Sequence, residues 1–117
     1  SMAAALGVLG NRPGRRIAVL GDMLELGVCT QAEHYRVGRI AAEKADVILA
    51  YGPNGGRVVD GALTGGMVAS KARAFETREE LAAALDRMVK PGDVILVKGS
   101  RGMHMELVLE QFLNKEK

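Results

Sequence analysis

The chain has 117 residues, 48% of them apolar and 26% charged, which suits one globular domain burying roughly two-thirds of its unfolded surface and excludes disorder. Its 16 basic and 14 acidic residues leave a net charge of +2, aromatics are only 3%, and Arg15-Arg16 is the one adjacent basic pair, so a nucleic-acid surface with a basic stripe and stacking rings is set aside. A single cysteine, Cys29, allows no internal disulfide and suits a reducing cytoplasm, and there is neither an apolar run of about 18 residues nor a signal-peptide pattern.

In chain order, residues 2–10 are expected to form a short helix with Met2, Ala5, Leu6 and Leu9 on one face. The stretch Gly10-Asn11-Arg12-Pro13-Gly14 then makes a turn. Arg16 to Leu20 reads as a strand with Ile17-Ala18-Val19-Leu20 at its buried core, ending at Gly21-Asp22. After a loop from Met23 to Cys29, Thr30 and Glu33 have the spacing of a capping box, so a helix is expected from there to about Lys44. Its inner face is Val37, Ile40 and Ala41, with Gly38 among them. A helical glycine costs about 1 kcal/mol against alanine, and close packing on a sheet would explain it.

Asp46 to Tyr51 reads as the next strand, followed by the turn Gly52-Pro53-Asn54-Gly55-Gly56 and a weaker helix from about Arg57 to Leu63. Ala72 to Phe75, flanked by charge, suits a strand near a sheet edge. Thr77 and Glu80 form a second capping box, opening a helix that turns Leu81, Ala84, Leu85 and Met88 inward and stops at Pro91-Gly92. Val94 to Val97 is a short, β-branched apolar run, expected to be a buried strand. Lys98 breaks it, Gly99 permits a sharp turn, and Ser100 is placed to cap a final helix with Met105, Val108, Leu109, Phe112 and Leu113 on one face. One helix followed by four βα units, with near-continuous apolar strands, predicts a single α/β domain over residues 1–117. Its expected form is a Rossmann-like parallel sheet of about four strands with helices on both faces.

Ligands of such sheets bind beyond the C-terminal strand ends, where strand order reverses. Were the spatial order 3-2-1-4, the Gly21-Asp22 loop and the Lys98-Gly99-Ser100-Arg101 loop would face each other. That would set the carboxylates of Asp22 and Glu25 opposite the cations of Lys98 and Arg101. A helix N-terminus flanked by two cations suits an anion, and the whole notch suits a zwitterion or a phosphate; a solvated turn with two surface charges is the bland alternative. His34, in the first turn of the second helix, is placed either to hold the Gly21–Gly27 loop or to act as an acid–base group. His104 is expected to be exposed, and neither histidine has a metal-ligand partner at useful spacing. Neither Gly21–Glu25 nor Gly52–Gly56 carries a dinucleotide fingerprint or a P-loop, so this domain alone should not hydrolyse ATP. A phosphoacceptor signalling domain would need an aspartate where the second strand ends in Ala50-Tyr51-Gly52.

Gly21-Asp22-Met23-Leu24-Glu25-Leu26-Gly27, then His34 and Gly38, then Leu96-Val97-Lys98-Gly99-Ser100-Arg101 with Met105-Glu106, resemble the Mur ligase family over essentially the whole chain. Ser1-Met2 with Ala4-Ala5-Leu6 resembles the segment just after the family's Asn-Pro motif. The resemblance implies the C-terminal domain of a three-domain, cytoplasmic, ATP-dependent amide ligase of peptidoglycan precursor synthesis, inactive as an isolated piece. The pairing of the two loop motifs points within the family to the branch that adds D-Ala-D-Ala to UDP-N-acetylmuramoyl-tripeptide through an acyl phosphate. ATP and Mg²⁺ would be bound mainly by the central domain, and the domain would close over ATP. Lys98, Gly99, Ser100 and Arg101 would then lie against the dipeptide carboxylate or the reacting phosphates. Asp22 and Glu25 would orient the amine or shape the loop at the closure face. The alternative is a free-standing anion-binding regulatory module without catalysis.

Overall fold

The computed structural model describes residues 1–115, with side chains as far as residue 111. Helix α1 (Met2–Gly10) precedes β1 (Arg16–Gly21), α2 (Thr30–Lys44), β2 (Val47–Tyr51), α3 (Gly55–Thr64), β3 (Ala72–Phe75), α4 (Arg78–Met88), β4 (Val94–Lys98) and α5 (Glu106–Lys115). The four strands form one parallel sheet in the order β3-β2-β1-β4. Alternate side chains of each strand feed two cores. Ala18, Leu20, Ile48, Ala50 and Ala72 pack against Leu6, Leu9, Val37, Ala41, Val58 and Ala62 of α1, α2 and α3. Ile17, Val19, Val47 and Leu49 meet Leu81 and Leu85 of α4, with Met105 and Val108, on the other side. The expected α/β architecture and the edge position of Ala72–Phe75 are both present.

Several local expectations fail for identifiable reasons. Val94–Val97 is not buried: every residue of β4 is half-exposed, because β4 is the other edge of the sheet. Gly38 is there for a helix rather than the sheet. A Cβ on it would overlap the Val58 carbonyl oxygen, and one on Gly61 would overlap that of Tyr35, so two glycines let α2 and α3 cross with their backbones in contact.

The Thr30–Glu33 capping box does not form. A 3₁₀ turn (Gly27–Cys29) runs straight into α2 with αR backbone at Cys29 and Thr30, leaving no residue with the extended conformation a cap needs; the Thr30 hydroxyl instead donates to the Gly27 carbonyl at 2.6 Å. At α4 the cap does form: Thr77 is extended and its Oγ1 accepts from Glu80 N at 3.1 Å. Helix α3 begins at Gly55, two residues before its expected start. The last helix begins at Glu106, after a 3₁₀ turn (Arg101–Met103) and a left-handed His104 at φ 49°, so its N-terminal amides are set back from the Lys98–Arg101 stretch. Met105 and Val108 are buried as expected and Leu109 is exposed; the Phe112 and Leu113 side chains lie outside the described residues.

Candidate functional site

The register sets Leu20 of β1 level with Ala50 of β2 and Lys98 of β4, so the loops after these three strands emerge side by side at one edge. Glycines let them close. A Cβ on Gly99 would lie 3.0 Å from the Gly21 Cα and 2.8 Å from Met105 Cγ, and one on Gly21 would lie 2.5 Å from Met105 Sδ. The two loops are then stitched together: Ser100 N donates to the Asp22 carbonyl at 3.0 Å, and Leu24 N donates to Ser100 Oγ at 2.7 Å. The Ser100 hydroxyl therefore serves the neighbouring loop and caps no helix.

Convergence of the loops is as expected; opposition of their charges is not. Asp22 is 2% exposed, and its carboxylate turns away from Lys98 towards the start of α3. It accepts from Asn54 N at 3.1 and 3.3 Å and from Asn54 Nδ2 at 2.8 Å. A carboxylate placed there satisfies an orphan amide and complements the helix dipole. The space it occupies exists because Gly52, at φ 120°, has no Cβ, which would stand 2.5 Å from Asp22 Oδ1.

His34 is likewise committed. Its Nδ1 lies 2.6 Å from the Thr30 carbonyl and must donate to it, and its Nε2 accepts from Met23 N at 3.0 Å. Those partners fix the tautomer with the proton on Nδ1, so the 3.9 Å approach of Nε2 to Asp22 Oδ1 is proximity rather than an ion pair. Of the two expected roles, His34 has the loop-holding one, and no ring nitrogen is left for acid–base work.

What remains available is Glu25, exposed at φ 63°, with Lys98 and Arg101. Lys98 is half-buried at the end of β4 and Arg101 is exposed. Among the described residues neither cation has a carboxylate within ion-pair distance, which suits an external anion. No group of three or more His, Cys, Asp or Glu residues among them could hold a metal ion, so the described residues form no all-protein metal cage. The surface clefts along Arg73, Phe75, Glu80 and Arg87 and along α2 are lined by neither Lys98 nor Arg101, and an anion held at these two cations needs a second wall. Sequence reasoning missed Asn54, Met103 and Arg78. Asn54 and Arg78 each follow a parallel strand at this edge, but their partners lie 32 and 25 residues away in sequence and leave no local signal.

The family described as "Mur ligase, glutamate ligase domain" matches residues 1–101. The chain is 40% identical over 119 residues to the UDP-N-acetylmuramoyl-tripeptide–D-alanyl-D-alanine ligase of Treponema pallidum, covering 100% of this chain and 26% of the relative. It is 39% identical over 110 residues to the Escherichia coli enzyme of that name, covering 93% and 23%. Among solved structures, a MurF from Acinetobacter baumannii superposes with a TM-score of 0.86 at 34% identity over 97% of this chain and 25% of the other. The MurF ligase of Thermotoga maritima in complex with ADP superposes at 0.75 with 27% identity, over 99% and 26%. The chain thus spans about a quarter of the length of the curated relatives it matches. With the family match running from residue 1 through the Lys98–Arg101 turn and the fold shared at that level, the chain belongs to the Mur ligase family.

Proposed function

We propose that residues 1–117 are the C-terminal domain of a three-domain, cytoplasmic, ATP-dependent ligase that joins D-Ala-D-Ala to UDP-N-acetylmuramoyl-tripeptide. The observation that carries this reading is the family match through a turn whose two cations, Lys98 and Arg101, have no carboxylate partner among the described residues. The names of the relatives and the ADP in the Thermotoga maritima neighbour support the substrates and the nucleotide. In this reaction the tripeptide carboxylate attacks the γ-phosphorus of ATP and the bond to ADP breaks. The dipeptide amine then attacks the acyl carbon, phosphate leaves with its bonding pair, and the amine loses a proton.

This domain's share is electrostatic. Lys98 and Arg101 meet negative charge on the reacting phosphates or the dipeptide carboxylate when the domain closes, and Gly99 and Ser100 set the turn that presents them. Asp22 and His34 shape the loop, and Glu25, exposed at the same edge, faces the incoming amine. The Mg²⁺ ligands are assigned to the central domain, and no step here passes through them.

The test is kinetic. Lys98→Ala and Arg101→Ala in the full-length enzyme should each lower turnover at least about tenfold, or ~1.4 kcal/mol of transition-state binding, without a shift in melting temperature. Wild-type turnover in both variants would refute the assignment. Tight binding of ATP, phosphate or D-Ala-D-Ala by this chain alone in calorimetry would favour the regulatory-module alternative.

A further inference from the structure

Arg78, the first residue of α4, reaches across the C-terminal edge of the sheet. Its Nη1 donates to the Met103 carbonyl at 3.1 Å, and its guanidinium carbon lies 5.6 Å from the ring centroid of Tyr51, the last residue of β2. Met103 closes the 3₁₀ turn that begins at Arg101. Its side chain rests on the two strand ends that lack a Cβ: a Cβ on Gly52 would stand 2.8 Å from Met103 Cε, and one on Gly21 would stand 3.5 Å from Met103 Cβ. Within the turn, Met103 N donates to the Ser100 carbonyl at 2.9 Å and His104 N to the Arg101 carbonyl at 3.1 Å.

We infer that Arg78 is a positioning residue: it straps the β4–α5 turn to the ends of β2 and α4, and so fixes the backbone from which Arg101 projects. Without the strap, Met103 is held by its thioether side chain lying on glycines and by its amide hydrogen bond to Ser100, and the start of the turn by the Ser100 hydrogen bonds to Asp22 and Leu24. The guanidinium is suited to the task, since it donates in its own plane while presenting its flat face to Tyr51. A lysine could reach the carbonyl or cover the ring, but not with the same planar geometry. The inference rests on the proposed role of Arg101 for its functional consequence, but not for its structural one, and the two are separable by experiment.

Hydrogen exchange on the 117-residue chain reads the strap alone. Arg78→Ala should speed exchange of the Met103 and His104 amides by about tenfold, the scale of one lost charge-assisted hydrogen bond, while the Leu49 amide in β2 is unchanged and Arg78→Lys falls in between. Unchanged exchange at Met103 and His104 overturns the strap. Kinetics of the full-length enzyme read its consequence. Arg78→Ala should lower turnover several-fold, and the double variant with Arg101→Ala should be no slower than Arg101→Ala alone, whereas with Lys98→Ala the losses should multiply. Multiplied losses with Arg101→Ala overturn the route through Arg101. Wild-type turnover in Arg101→Ala removes the proposed site, and the exchange result still judges the strap.

Discussion

If Asp22 is the hub that ties the β1, β2 and β4 loops together, its removal should be a stability event before it is a catalytic one. The carboxylate accepts two groups of Asn54, the amide through both oxygens and the side-chain nitrogen through one, at a position only 2% exposed. Hydrogen bonds to a charged acceptor contribute about 1.5–3 kcal/mol each, and leaving a buried amide unpaired costs a further ~1–3 kcal/mol. The desolvation already suffered by the buried charge offsets part of this. Asp22→Ala should therefore lose about 3–4 kcal/mol, and Asp22→Asn, which keeps one acceptor but turns an amide towards Asn54 Nδ2, about half as much. With a urea dependence of about 2 kcal/mol/M, the middle of the range for small domains, the alanine variant should unfold about 1.5–2 M earlier in urea, read by far-ultraviolet circular dichroism. Exposed Glu25 supplies the control, and Glu25→Gln should stay within about 0.5 kcal/mol of wild type. An Asp22→Ala chain as stable as wild type, paired with collapsed turnover in the full-length enzyme, would return Asp22 to the substrate face and refute the hub.

Two further stability measurements probe the frame around that hub. Gly38→Ala should destabilise despite alanine's advantage of about 1 kcal/mol in a helix, because its Cβ meets the Val58 backbone carbonyl rather than a side chain that can move aside; a higher urea midpoint would mean that α2 and α3 do not touch there. At the opposite end of the sheet, Arg15 donates to the Met88 carbonyl and to Asp93 at 2.6 and 3.1 Å, and the Arg15 hydrogen bonding to Asp93, with a bond from the Lys90 amide, holds the Asp93 carboxyl below the usual carboxylate range. A carboxyl whose folded value lies below its unfolded one stabilises fully above the unfolded value, about 3.9, and loses that contribution as pH falls through the folded value. Asp93→Asn should therefore be less stable than wild type at pH 7, with the gap closing below about pH 4. A gap that persists undiminished at pH 3 would assign the loss to packing instead.

The parts of this fold that could be read from the chain are those set by local pattern. Ile17–Leu20 and Val47–Leu49 are apolar runs that became central strands, and Thr77 caps α4 because the chain is extended just where its hydroxyl is needed. Val94–Val97 has the same composition, but strand order is a tertiary property, and an apolar run does not record whether a neighbour pairs on one side or both. Gly38 signalled a close approach without saying to what, since the opposing carbonyl of Val58 belongs to another helix. Asp22 misled for a related reason. Beside a turn glycine, an aspartate reads as surface, and only its partner 32 residues later, Asn54, makes it interior.

The disposition of charge at this edge has a physical consequence for the proposed reaction. Asp22, the acid that could have neutralised the Lys98–Arg101 turn, is drawn inward by Asn54, and His34 is tied to two backbone groups. The fold thus separates its acid from its bases across a few residues, and it does so with neutral hydrogen-bond donors rather than with a lysine or arginine of its own. Were Asp22 to swing towards Lys98, the pair would screen each other and the edge would offer an incoming phosphate little net field. With Asp22 sequestered, two cations stand at the edge with no carboxylate within ion-pair distance among the described residues. They attract an anion most strongly when another surface closes over them and excludes water. The same carboxylate that organises the loops therefore leaves both cations unpaired among the described residues, so that folding and anion recognition depend on one side chain facing inward.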